Sequence, residues 1–236
     1  MPRLTSSFRA ASAAATLLLS CAAAQASLTV QQFQFGGAAG EASLTRLASA
    51  IASGTTPTYE ALAPTINYTD RIDGSTGFNG DRFGGDVAWP MSGSFVPTAP
   101  NNSNFGARIL ADVLITSAGD YTFGLNGDDG VALIIDGVTL FSSDVLATSG
   151  AYDRLAQVTL AAGTHRVDVR FFDRNGAGDL EFFAAPGRFD TFNSSFRLVG
   201  DTANGGLDAN AVPEPGALAL SSLALLCLGW SRRRQG

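Results

Sequence analysis

Lysine is absent from the 236-residue chain, so all 15 basic residues are arginine. One histidine and two cysteines are too few for a disulfide framework, a zinc site or a Cys–His nucleophile. Positive charge is scarce overall, since 21 acidic residues leave a net charge of -6. Such a chain lacks the cationic surface that neutralises phosphates, which excludes a nucleic-acid binder of that kind. Hydrophobic residues make up 45% and charged residues 15%, which excludes an acidic disordered chain as well. One domain or a small pair is the expectation for this length.

Much of the apolar excess sits at the two ends. Residues 1–26 read as a secretory signal peptide. Arg3 and Arg9 give the positive start, residues 10–24 the stretch of small residues and leucine, and Ala24-Gln25-Ala26 the cleavage site before Ser27. Signal peptidase is therefore an expected partner, and Leu19-Ser20-Cys21 makes a poor lipoprotein box. At the other end, Val212-Pro213-Glu214-Pro215 precedes an apolar run over 216–230, and Arg232-Arg233-Arg234 follows. The run is shorter than the ~20 residues of a comfortable transmembrane helix. The arginines would hold its far end in the cytoplasm.

Pro213, Glu214 and Pro215, a short span, then Arg232, Arg233 and Arg234: this order resembles the PEP-CTERM sorting signal of Gram-negative bacteria. The resemblance implies transient anchoring in the inner membrane and cleavage by an exosortase near Pro-Glu-Pro. The protein is then expected at the cell surface or outside the cell, in the setting of exopolysaccharide and biofilm.

Between the ends, segment 27–211 keeps 10 arginines and 20 acids, a net of about -10 that suits an exported domain with room for cations. Cys21 and Cys227 both fall outside it. The segment must be held by its core, and it is long enough to build one. The expected division is a domain over 27–200, a flexible spacer over 201–211 and the sorting tail over 212–236.

The spacing of Leu44, Leu47, Ala48 and Ile51 predicts one short helix over 41–53, capped by Ser43 and ended by Gly54. Residues 66–106 are rich in Gly, Asn, Asp, Ser and Pro and read as loops with short strands. Asp70, Asp73, Asp81 and Asp86 fit no cation-loop spacing and read as solvated turns. From Arg108 the chain alternates as strands. Ile109, Ala111, Val113 and Ile115 point one way; Tyr121, Phe123 and Leu125 follow; then Val131, Leu133 and Ile135; then Val167, Val169 and Phe171. Asp136-Gly137 marks a hairpin turn. Short runs at 157–160, 180–183 and 196–199 complete the series. Short strands with frequent turns predict an all-β chain, an antiparallel sandwich or jelly roll with one accessory helix.

Three patterns occur in order: Ala118-Gly119-Asp120-Tyr121-Thr122-Phe123, then Asp128-Asp129-Gly130 running into Ile135-Asp136-Gly137, then Leu160-Ala161-Ala162-Gly163-Thr164-His165-Arg166-Val167. Together they resemble the PA-14 domain, clearly over 105–185. The resemblance implies a β-sandwich that often binds carbohydrate. In its fungal adhesin branch, paired aspartates joined by a cis peptide hold a calcium ion that ligates sugar hydroxyls. Asp128 and Asp129 stand at that position. Calcium takes 6–8 oxygen ligands, so two side chains are too few. Asp173, Asn175 and Asp179, between two late strands, are the candidates for a second loop. Asx side chains also stabilise tight turns by bonding their own backbone, so a purely structural role for the pair stays open.

Trp89, with Phe78 and Phe105, either stacks on a sugar ring or caps the core. His165 reads as structural, since no Ser or Cys partner motif accompanies it. Arg166, Asp168 and Arg170 read as a solvated charged face. Two functional readings follow. One is a non-enzymatic surface module that binds a glycan, with Ca2+ as its cofactor. The other is a structural matrix component with no specific ligand. A glycosidase would need a pair of acids flanking a cleft, and no motif nominates such a pair.

Overall fold

The structure is a computed structural model that describes residues 27–36, 41–69, 82–89, 104–146, 153–174 and 178–211. The expected signal peptide and sorting tail lie outside the described residues, as do Asp70, Asp73, Asp81, Phe78 and Asn175. Among the described residues, no helix is long and apolar enough to cross a membrane.

Two β-sheets pack face to face. The first contains β1 (Leu28–Gln34), β2 (Tyr59–Ala63), β5 (Phe105–Ile115), β7 (Gly130–Ile135), β8 (Val138–Ser143), β10 (Gly163–Asp173) and β13 (Ala209–Asn210). Its order is β2-β1-β5-β10-β7-β8, with β13 added on β5. The second contains β3 (Asn67–Thr69), β4 (Val87–Ala88), β6 (Gly119–Asp128), β9 (Asp153–Leu160), β11 (Asp179–Pro186) and β12 (Arg197–Leu198). Its order is β4-β3-β11-β6-β9, with β12 on β11. The ladders are antiparallel apart from the short β3–β4 pair.

Alternation explains the core. Ile109, Ala111 and Val113 of β5, Leu133 of β7, and Val169 and Phe171 of β10 meet Phe123, Leu125 and Phe182 of the second sheet. Each large side chain removed from water in this way contributes about 1.5–3 kcal/mol. The outer face of the first sheet is covered at one end by α1 (Leu44–Ala52). Ser43 caps the helix, its hydroxyl accepting the Arg46 N–H at 3.1 Å. Leu44 and Leu47 pack on Phe33, Phe35, Ala132 and Phe172. A β-carbon on Gly106 would lie 2.9 Å from Phe35 and 3.0 Å from Leu47, so the helix needs glycine beneath it to sit this close.

Segment 201–211, expected as a flexible spacer, is part of the fold. A single 3-10 turn spans Thr202–Asn204, and Ala209 pairs with Val113. Ala209 is fully buried and Leu207 packs on the main core. Its Gly- and Asp-rich composition signals turns, and here the turns fold the chain back onto the edge of β5. The domain therefore extends to residue 211.

Candidate functional site

The chain reverses between β6 and β7 at Asp128 and Asp129, which are joined by a cis peptide bond. Antiparallel register sets Asp128 directly opposite Asp179 of β11. On the other side, the Asp129 N–H donates to Phe172 O at 3.3 Å, next to Asp173 at the end of β10. The Arg174 N–H donates to Asp129 Oδ2 at 2.9 Å. Gly178 closes the approach, because a β-carbon there would lie 3.2 Å from the Asp173 β-carbon. The four aspartates expected from sequence are thus gathered at one pole of the sandwich, with exposures of 4% for Asp128, 6% for Asp129 and 0% for Asp173 and Asp179.

A fifth carboxylate at this pole has no counterpart among the sequence expectations. Glu181, 1% exposed, accepts from the Arg82 N–H at 2.9 Å, the Phe83 N–H at 3.2 Å and Asn126 Nδ2 at 2.7 Å. It thereby holds the 82–84 segment against β11 and β6. The Arg174 guanidinium donates to Ala42 O at 2.9 Å and pairs with Glu41 at 3.1 Å. That ties the aspartate loop to the entry of the helix.

Trp89 corrects an expectation. It is 2% exposed, stacks on Phe171 at 5.0 Å between ring centroids, and donates its indole N–H to Gly178 O at 2.6 Å. It is a core residue beneath the aspartate pole and has no ring face to offer a sugar. Phe105 is buried beside it.

The oxygen donors at the pole have the hard chemistry that calcium prefers. They are not clustered as a preformed protein cage: among the described residues, no group of three or more His, Cys, Asp and Glu side chains is placed to hold a metal ion. Any ion there would need backbone carbonyls, water or a ligand's hydroxyls to complete its shell.

The opposite pole is built from turns. His165 Nδ1 lies 2.6 Å from Asp136 Oδ2, and Nε2 lies 3.0 Å from Ala161 O. Asp136 Oδ1 accepts the Arg166 N–H at 2.9 Å. The Asp136 hydrogen bond, then the bond to Ala161 O and the Asp136 charge, raise the His165 pKa above the usual imidazole range, against partial desolvation. Desolvation pushes Asp136 up, but the bonds to His165 and Arg166 outweigh it and its pKa is lowered. His165, read from sequence as structural, is held between Asp136 and Ala161 at this turn. On the outer face of the first sheet Asp168 is buried, 8% exposed, rather than solvated, and bridges Arg108 at 2.9 Å and Arg170 at 3.1 Å.

The structure is a two-layer β-sandwich with paired aspartates at the end of β6, which lies next to the edge strand β9. The chain carries a PA14 domain, matched over residues 91–185, followed by a PEP-CTERM protein-sorting motif over 211–234. Among solved structures it is similar to the PA14 domain of an antifreeze protein, at 15% identity and TM-score 0.53, covering 80% of this chain and 92% of that one. It is also similar to a PA14 sugar-binding domain from an RTX adhesin, at 18% identity and TM-score 0.51, covering 74% of this chain and 99% of that one. An anti-sigma factor domain-containing protein matches at 13% identity and TM-score 0.51, covering 81% of this chain, which spans about half (49%) of that protein. These likenesses establish the fold. No curated protein matches the chain.

Proposed function

We propose that this is an exported protein whose PA14 domain binds carbohydrate at the aspartate pole, assisted by calcium. The observation that carries this reading is the convergence of Asp128, Asp129, Asp173 and Asp179 at one end of a PA14 sandwich. The likeness to a sugar-binding adhesin domain supports it. Asp128 and Asp129 would supply the first carboxylate oxygens, with Asp173, Asp179 and Asn175 as the second group. Calcium held there would anchor two neighbouring sugar hydroxyls in place of water. Glu181 and Arg174 keep the surrounding segments in position. Signal peptidase and then exosortase process the ends, leaving the domain at the cell surface or in the matrix. Binding rather than catalysis is the role.

A second reading is a matrix component with no specific ligand. The near-complete burial of the four aspartates favours it, since buried carboxylates also serve to organise loops. A glycan array probed with residues 27–211, with calcium and with EDTA, separates the two. The binding reading expects saturable signal only with calcium, lost in Asp128→Ala while the fold is kept. A folded domain that binds no glycan supports the matrix reading.

A further inference from the structure

Both ends of the exported segment leave the fold side by side. The Ser27 N–H donates to Ala209 O at 2.7 Å, and the Ala211 N–H donates to Ser27 Oγ at 3.3 Å. Ser27 follows the expected signal cleavage site, and Ala211 directly precedes Val212-Pro213-Glu214-Pro215. Ladder register puts this point far from the aspartates. Ala209 pairs with Val113 near the end of β5, whereas Asp173 pairs with Phe105 at its start. Eight residues of strand at about 3.3 Å each separate the two levels by roughly 26 Å.

The tether is short by comparison. Only residues 212–215 lie between the last described residue and the apolar run of the tail. Fully extended, they reach about 14 Å. That is less than the distance between the poles, so the domain cannot turn its aspartates down to where the tail enters the bilayer.

We propose that the pole around Ser27, Ala118 and Ala211 faces the membrane in the tethered precursor, with the lipid surface as its partner. The aspartate pole then projects outward before sorting is complete. The inference rests on the sorting reading of the tail and is independent of sugar binding.

The domain has no cysteine of its own, so single cysteines report on it cleanly. Full-length precursor would be expressed with Cys227→Ser in cells that cannot cut the tail, and spheroplasts treated with a bulky, impermeant polymer maleimide. Ala118→Cys marks the tail pole, where Ala118 is exposed in the turn before β6. Val145→Cys marks the aspartate pole: Val145 is 56% exposed and follows Ser143, the ladder partner of Val131. The expected result is labelling several-fold slower in the Ala118→Cys precursor than in the Val145→Cys precursor, with the difference abolished in detergent. Equal rates in spheroplasts, slower labelling of the Val145→Cys precursor, or recovery of the uncut chain in the soluble fraction would each overturn the proposal. The readout needs no sugar, so its failure leaves the glycan reading to its own test.

Discussion

The His165–Asp136 pair has the clearest consequence at the scale of single residues. It ties the turn after β7 to the turn before β10 through two hydrogen bonds to the Asp136 carboxylate, while His165 Nε2 is held within its own turn by Ala161 O. The folded state raises the His165 pKa, so the protonated imidazole stabilises the fold fully below about pH 6.5, its unfolded value. That contribution disappears as pH rises through the folded value. Asp136 works in the other direction: its lowered pKa gives stability above the unfolded carboxylate range, lost as pH falls through the folded value. The pair is therefore strongest in mildly acidic solution. Asp136 is half exposed, so water screens the pair and its worth stays under about 1 kcal/mol. We expect residues 27–211 to melt about 2 °C lower at pH 8.5 than at pH 5.5 on this account. In His165→Gln this pH-dependent step should vanish from the calorimetric profile. An unchanged step would assign the pH dependence elsewhere.

Elements differ in how plainly their sequences announce them. The long central strands are legible because one face is core and the other is polar, as in β10, where Val167, Val169 and Phe171 alternate with Arg166, Asp168 and Arg170. The helix is legible from its cap and spacing. Strand β1 is not, because its apolar residues change parity. Leu28 and Val30 face the main core, whereas Phe33 and Phe35 face the helix on the other side of the sheet. Glu181 is hidden for a related reason. Residues Asp179–Ala185 of β11 are buried on both faces, so a charged residue there carries no alternation signal. Asp128 and Asp129 stand out through a motif, while Trp89 looks like a loop residue because the sequence around it is rich in glycine and proline. Strand β13 is the element whose sequence misleads most, and truncation tests it. A chain ending at Asp201 loses the Leu207 contact, buried Ala209 and the bond from the Leu114 N–H to Asp208 O. We expect this to cost about 2–4 kcal/mol, read as a lower denaturation midpoint at unchanged slope. A spacer would cost nothing.

At the scale of the molecule, charge and calcium are linked. Segment 27–211 carries a net of about -10, so any cation relieves some self-repulsion and raises stability slightly. A specific site behaves differently, because a ligand that binds only the folded state adds RT ln(1 + [L]/Kd). With calcium at a hundred times its Kd this is about 2.7 kcal/mol. For a domain of this size that corresponds to a melting temperature higher by about 5–10 °C. Magnesium at equal concentration supplies the same generic screening, but it demands near-ideal octahedral geometry and gives up water reluctantly. The measurement is thus the difference between the calcium and magnesium increments, not the melting temperature itself. The distinction matters because Asp128→Asn and Asp129→Asn remove buried charge and will shift the baseline in either direction. We expect the difference to be large in the unaltered domain and lost in both variants. Equal increments for the two ions would remove calcium from the aspartate pole. Asp128, Asp129, Asp173 and Asp179 would then be carboxylates that organise the ends of β6, β10 and β11, and the matrix reading would gain accordingly.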